Sequence, residues 1–247
     1  MKINIYSLKK KLLLILLIVI LGISIIYIGL SLYITNLAFQ VEINLPESTP
    51  DEYNLEFEEI EFLSNEKEDI VLRGWWIPAR YSNGTIIWIH GLDANREDEK
   101  MEMISDINKL GYSVLTFDLR GHGSSDKAPL GLGLREKNDV LGAIKYLKES
   151  KYINHVGIWG ISYGAVIGIL TADETDSIVG IFADSPYYNI PELLAKEVSD
   201  RTPIPKFIAE MLKFGIIRST IILQEINIKD IAPEVTVANL DFPIVIV

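Results

Sequence analysis

The sequence predicts an α/β protein, with a mainly parallel sheet carrying helices on both faces, placed behind one N-terminal transmembrane helix. Three observations carry this expectation. Strand-like and helix-like runs alternate from about residue 56 onward, as they do where parallel strands are joined by right-handed crossovers. A pentapeptide, Gly160-Ile161-Ser162-Tyr163-Gly164, stands between an apolar strand-like run and a small-residue helix-like run. Leu12 to Ile34 is a stretch of 23 residues without a charge.

The apolar stretch is long enough, at about 1.5 Å per residue, to cross a hydrocarbon core of about 30 Å. Lys2, Lys9, Lys10 and Lys11 precede it, and the first charges after it are Glu42, Glu47, Asp51 and Glu52. Positive charge stays inside, which predicts a cytoplasmic segment at residues 1–11, a signal anchor at 12–34 and an extracytoplasmic remainder at the cell membrane. A cleaved signal peptide is the rival reading. Its apolar region usually runs about 7–15 residues and ends in a small-x-small site, which Ile34-Thr35-Asn36-Leu37-Ala38 does not supply. Tyr27 and Tyr33 suit an interfacial belt. The lipid bilayer is therefore the expected partner of residues 12–34, and residues 35–54, with Pro46, Ser48, Thr49 and Pro50, read as a linker.

Charge separates the two parts further. The chain carries 23 basic and 34 acidic residues; less the four leading lysines, the remainder has 19 against 34, a formal charge of −15. So acidic a domain disfavours nucleic acid and anionic lipid surfaces as partners. The absence of cysteine excludes disulfides, thiolate catalysis and cysteine-bound zinc. Asn83-Gly84-Thr85 matches a glycosylation sequon and is read as a turn.

The elements follow in order. Residues 56–63 and 69–78 predict two antiparallel strands, with Trp75 and Trp76 as core and rim residues. Residues 85–89 predict a strand ending in His90-Gly91-Leu92. Asn95 is the expected N-cap of a helix from Arg96 to Leu110, with Glu97 and Asp98 in its first turn, an inward stripe of Met101, Ile104, Ile107 and Leu110, and Gly111 as its stop. A strand at 113–117 opens into Asp118-Leu119-Arg120-Gly121-His122-Gly123-Ser124, where Asp118 and Arg120 are expected to form a local ion pair. A helix over 134–148 should turn Val140, Ile144 and Leu147 inward. Strand 155–159 and helix 163–171 flank the pentapeptide, and a strand begins near Ile181. Residues 190–198 and 205–214 read as two amphipathic helices around Asp200-Arg201-Thr202-Pro203, and residues 242–247 as a last strand exposing an uncharged edge.

A serine on a sharp strand-to-helix turn has its hydroxyl pushed out of the sheet. Glycines two residues to either side let strand and helix approach closely. The amides of Leu92 and of Tyr163, the residue after the serine, are placed to hold a developing oxyanion. Ser162, Leu92 and Tyr163 are the candidate catalytic residues.

The HG turn, the DxRGHGxS loop and the GxSxG elbow together resemble the α/β-hydrolase superfamily, and within it serine aminopeptidase-like and esterase- or lysophospholipase-like members. The similarity runs from about Leu55 to Val247 and includes Leu72-Arg73-Gly74-Trp75-Trp76-Ile77-Pro78, Ile181-Phe182-Ala183-Asp184-Ser185-Pro186 and Phe242-Pro243-Ile244-Val245-Ile246-Val247. It implies a hydrolase domain at 55–247 with a cap insertion at 187–231, no cofactor and no metal. It also implies attack by Ser162 on an ester, amide or thioester through an acyl-serine. The substrate would be a small molecule or peptide with an acyl group, and acyltransferase chemistry uses the same serine.

The resemblance places the acid of the triad after the seventh strand and the histidine after the eighth, in the order Ser, Asp, His. Neither loop lies in these 247 residues, nor do the eighth strand and last helix. Of the three histidines, His90 belongs to the oxyanion turn and His155 to the far end of the strand before Ser162, while His122 sits in a loop that is structural in similar proteins. Asp184 reads as a loop anchor more than as an acid. The chain is therefore expected to be a truncated hydrolase, inactive alone, with a catalytically dead surface module that binds through cap and pocket as the alternative.

Overall fold

The computed structural model describes residues 5–66, 69–97, 100–187, 196–200 and 202–247. They fall into two compact units: the N-terminal helix with the described part of 191–228, and residues 39–190 with 229–247.

In the larger unit seven strands form one sheet: β1 (Glu58–Leu63), β2 (Val71–Ile77), β3 (Gly84–Ile89), β4 (Tyr112–Phe117), β5 (Val156–Ile161), β6 (Ile178–Asp184) and β7 (Ile244–Ile246), in the spatial order β1-β2-β4-β3-β5-β6-β7. β1 pairs antiparallel with β2 and β2 antiparallel with β4; the pairings from β4 through β3, β5 and β6 to β7 are parallel. The sheet is thus mainly parallel with an antiparallel leading edge. Its strands are rich in Ile, Val and Trp because a parallel sheet is covered on both faces.

Register sets the core. Trp88 of β3 stands opposite Trp159 of β5, and Trp159 opposite Phe182 of β6. The three rings stack across the sheet with centroids 5.3 and 4.0 Å apart. Trp88 also belongs to a buried cluster with Leu55, Trp75, Ile77, Ile104 and Val114. Trp75 and Trp76 are both buried, and the Trp75 indole donates to Glu59 at 2.8 Å. Four helices complete the unit: α2 (Met101–Lys109) packs on β4, α3 (Lys137–Ser150) on β1, α4 (Tyr163–Ala172) on β5 and β6, and α6 (Pro233–Asn239) on α4. Val140, Ile144 and Leu147 of α3 are buried as their spacing predicts.

Three local expectations need correction. Leu110, foreseen on the inward stripe, is exposed, because α2 ends at Lys109 and Leu110 is only its C-cap. The helix foreseen from Arg96 begins only at Met101. The Glu97 amide donates to Asn95 Oδ1 at 2.8 Å, so Asn95 caps a turn. The Arg96 amide is claimed by Asp118 Oδ1 at 2.7 Å, which holds the chain in a loop; Asp98 lies outside the described residues. Asp118 and Arg120 do not pair either. Side chains two apart in this loop serve different neighbours: Asp118 faces Arg96 at 3.6 Å, whereas Arg120 meets Asp139 of α3 at 2.6 Å and Glu66 at 2.8 Å. Arg120 also donates to Ser64 Oγ and is 2% exposed. Its donors are engaged inside the protein, which leaves no fork for a substrate carboxylate.

In the smaller unit α1 (Ile5–Ala38) extends beyond the foreseen 12–34 on both sides. Residues 9–38 are long and apolar enough to cross a membrane. It packs against α5 (Lys206–Gln224), ten residues longer at its C-terminal end than the foreseen 205–214. The helix foreseen over 190–198 falls largely outside the described residues, with 196–200 helical.

Arg120→Leu should cost on the order of 3–5 kcal/mol, because the fully buried Asp139 loses its guanidinium partner. The double variant Arg120→Leu/Asp139→Leu should recover most of the loss, as read from denaturant midpoints.

Candidate active site

Ser162 lies between β5 and α4 with φ 49° and ψ −106°. A non-glycine residue at positive φ is strained by on the order of 1–3 kcal/mol and persists only where its surroundings hold it. Two things hold it here. The Ser162 amide donates to the Asp184 carbonyl at the end of β6 at 2.7 Å, and the Ser162 carbonyl accepts from Val166 as α4 begins. The flanking glycines let the backbones close: a Cβ at Gly164 would lie 2.3 Å from the Ile89 carbonyl oxygen, and one at Gly160 2.5 Å from that of Gly164. The turn so formed leaves the Ser162 residue exposed.

The backbone around the two candidate donors, Tyr163 and Leu92, is placed as follows. Tyr163 is the first residue of α4, so its amide has no intrahelical acceptor. Leu92 follows Gly91, whose backbone lies beside Ser162: a Cβ at Gly91 would be 3.9 Å from Ser162 Cβ. Asp93, next in the turn, adopts φ 60°. The Leu92 amide has no hydrogen-bond partner among the described residues. Ser162 thus stands between the HG turn and the N-terminus of α4, whose backbone dipoles favour developing negative charge.

His90 organises this turn. Its Nε2 accepts from the Leu119 amide at 3.0 Å and its Nδ1 faces the Gly91 carbonyl at 2.6 Å. Nε2 must be unprotonated to accept, so Nδ1–H donates, and the neutral ring ties the HG turn to the RGHG loop. Burial lowers the His90 pKa to about 4. His122 stacks edgewise on His90, with centroids 5.0 Å apart. Burial, and then the neighbouring His90, lower its pKa to about 4 as well. Its Nδ1 bonds the Arg120 carbonyl, and its buried Nε2 has no hydrogen-bond partner among the described residues. His155 is exposed and precedes β5, at the opposite end of that strand from Ser162. Both buried rings are weak bases, and none of the three histidines hydrogen-bonds Ser162 in the structure.

Asp118 anchors the RGHG loop. Fully buried, it accepts from the amides of Arg96 and of Ser124, at 2.8 Å for Ser124, and burial raises its pKa against the pull of Arg96. Gly123, at φ 45°, is needed because a Cβ there would fall 2.2 Å from the Asp118 carboxylate. Asp184 offers its carbonyl to Ser162 while its side chain accepts from Ser185 Oγ at 2.9 Å.

Two features of the site had no readable sequence signal. Tyr163 Oη accepts from the Gly133 amide at 3.1 Å, and Glu136 spans the same loop, accepting from Gly131 at 2.6 Å and Gly133 at 2.9 Å. Burial, with Asp139 nearby, raises the Glu136 pKa. The foreseen linker is also bound to the chain of the HG turn: the Glu42 amide donates to Asp93 Oδ1, Asn44 Nδ2 to the Asp93 carbonyl, and the Glu47 and Ser48 amides to Glu97 Oε2, at 2.6–3.1 Å. An open cleft of about 750 Å³ lies between residues 43–47 and 93–97.

A strained serine elbow at the carboxyl ends of a mainly parallel sheet, beside the HG turn, is the arrangement of the α/β-hydrolase fold. The chain has the α/β-hydrolase fold, and residues 84–200 match the family described as alpha/beta hydrolase fold. Among curated relatives, the lysophosphatidylserine lipase ABHD12 of Mus musculus is 34% identical over 127 residues, 48% of this chain and 31% of that protein. YqkD of Bacillus subtilis (strain 168) is 30% identical over 143 residues, 55% of this chain and 45% of that protein. The chain thus spans less than half the length of these relatives. Among solved structures, the Pyrococcus furiosus esterase Pf2001 superposes with TM-score 0.67 at 24% identity, covering 84% of this chain and 76% of that one. An alpha-beta hydrolase from Vibrio vulnificus superposes with TM-score 0.62 at 20% identity, covering 88% and 75%.

Ser162→Gly should stabilise the fold by about 1 kcal/mol, because glycine relieves the positive φ; a lowered thermal midpoint would contradict the strain. The depressed histidines predict a pH effect of definite sign. With folded values near 4 and unfolded values near 6.5, the unfolded chain takes up protons first, so stability present above pH 6.5 is lost as pH falls toward 4. The loss is on the order of 3 kcal/mol per ring. His122→Asn should remove about half of this slope in denaturant titrations at stepped pH.

Proposed function

We propose that the chain is a membrane-anchored serine hydrolase of α/β-hydrolase type acting on an acyl ester, amide or thioester. The observation that carries this reading is Ser162, exposed at a positive-φ elbow between the Leu92 and Tyr163 amides. In this mechanism Ser162 Oγ attacks the acyl carbonyl and gives up its hydroxyl proton, the two amides hold the oxyanion, and collapse of the tetrahedral intermediate breaks the bond to the leaving group, which departs with that proton and leaves an acyl-serine. Water, or another acceptor in a transferase variant of the same chemistry, then resolves it. The lysophosphatidylserine lipase and esterase among its relatives make lysophospholipids and simple carboxylic esters the first substrates to test.

The helix at residues 9–38 is proposed as the anchor, with the lysines before it cytoplasmic and the acidic sheet unit outside. Residues 187–231 are proposed as the cap. The placement of the histidines supports a further part of the proposal, that these 247 residues turn over slowly by themselves. A serine hydroxyl without a base is a poor nucleophile at neutral pH, and loss of a triad member lowers rates by several orders of magnitude. The same observation supports a second reading, a surface module that binds acyl ligands without cleaving them.

Imidazole rescue separates the two. The purified chain in detergent should hydrolyse p-nitrophenyl butyrate within about tenfold of its Ser162→Ala variant, and added imidazole, after subtraction of its own protein-free cleavage of the ester, should raise the rate of the parent only. A rescue indifferent to Ser162→Ala would favour the binding module. Strong unassisted hydrolysis, or fluorophosphonate labelling abolished by Ser162→Ala, would overturn the low-activity proposal while upholding the serine.

A further inference from the structure

We infer that α5 is a second membrane element, lying at the bilayer interface with its outward face in the acyl region while its other face grips α1. The inference rests on the anchor reading of α1 and adds to it a partner for residues 206–224.

The helix has two apolar faces about half a turn apart. Ala209, Leu212, Ile216 and Thr220 form the buried one. Phe207, Met211, Phe214 and Ile222 follow at spacings of four, three and eight, so they share a face, and each is 65–72% exposed. A helix at a water-exposed protein surface carries polar residues there; one that is apolar on both sides is covered by protein or by lipid. Lys206, Glu210 and Lys213 gather on a single flank, where Lys213 reaches Glu210 at 3.8 Å. Arg218, within the outward face, lays its guanidinium 5.3 Å from the Phe214 ring centroid. A long cationic side chain of this kind reaches from an acyl environment to the phosphate level.

The occupant of the outward face follows from what α5 is attached to. It packs on α1 near that helix's C-terminal third: the Gly215 amide donates to Tyr27 Oη at 3.0 Å, and Thr35 Oγ1 donates to the Ile216 carbonyl at 3.4 Å. Gly215 admits this approach, since a Cβ there would lie 2.2 Å from Ser31 Oγ. Small residues at a close helix contact are the usual means of association in lipid. If the span ends at Ile34, Ser31 and Tyr27 lie about 5 and 10 Å below its boundary, the depth at which interfacial helices bury their apolar face. The outward side chains of α1 from Leu12 to Ile28 are themselves exposed. The exposed faces of α1 and α5 therefore form one apolar surface, and the bilayer that receives the first receives the second.

The chain has no cysteine, so single cysteines report their own surroundings. Full-length Phe214→Cys, Ile222→Cys, Lys213→Cys and Ile18→Cys, each labelled with an NBD fluorophore, are reconstituted into phosphatidylcholine vesicles carrying spin-labelled lipids. The expected result is blue-shifted emission and quenching by shallow-labelled lipid at 214 and 222, water-like emission at 213, and quenching by deep-labelled lipid at 18. Quenching at 18 with water-like, unquenched emission at 214 and 222 would overturn the interfacial seat of α5 and leave the anchor intact. Blue-shifted but unquenched emission there would also overturn it, showing a protein partner on that face. No quenching at 18 would overturn the anchor and the inference with it.

Discussion

The close approach of α4 to the end of β3 is the constraint on which the site depends. With no Cβ at Gly164, the first turn of α4 can lie against the Ile89 and His90 carbonyls, and only in that position does the chain at Ser162 turn back on itself at positive φ. The amide bond from Ser162 to Asp184 then fixes the elbow to β6, so three neighbouring strands determine where one hydroxyl stands. The strain at Ser162 is sustained by the sheet, and the sheet is sustained by the stacked Trp88, Trp159 and Phe182 rings and the helices packed on its strands.

A second layer of order comes from polar groups buried without freedom to act otherwise. His90, held neutral by burial, bridges the HG turn and the RGHG loop, and Asp118 closes that loop from inside. These side chains look like catalytic equipment in a list of residue types. Their geometry assigns them to positioning: their side-chain hydrogen bonds go to backbone of the HG turn, the RGHG loop and Arg96. Arg120 is similar, a guanidinium used up by Asp139 and Glu66 in joining the loop to α3 and the chain after β1.

The segment between α1 and the sheet unit has more order than a tether requires. Glu42, Asn44, Glu47 and Ser48 hydrogen-bond to Asp93 and Glu97, beside the amide proposed to hold the oxyanion. These bonds hold residues 42–48 against the chain that follows the HG turn.

Much of this was legible in the sequence. Apolar strand-like runs gave the strands, the 23 uncharged residues gave α1, and the glycines around Ser162 gave the elbow, because each is a local pattern with one low-energy backbone solution. What escaped was decided at long range. The start of α2 moved from Arg96 to Met101 because Asp118, 22 residues away, takes the Arg96 amide. The partners of Asp118 and Arg120 were set by opposite side-chain directions within the loop, which residue spacing alone does not show. The Glu136–Tyr163 support and the binding of residues 42–48 to the chain of the HG turn join segments tens of residues apart or more. By itself the sequence determined which serine sits at the strand-to-helix elbow and which class of fold carries it, since both depend on short-range backbone geometry. Only the tertiary structure decided which buried charges pair, which histidines are neutral struts and what α5 rests on, since burial and electrostatics depend on neighbours that the chain brings together only on folding.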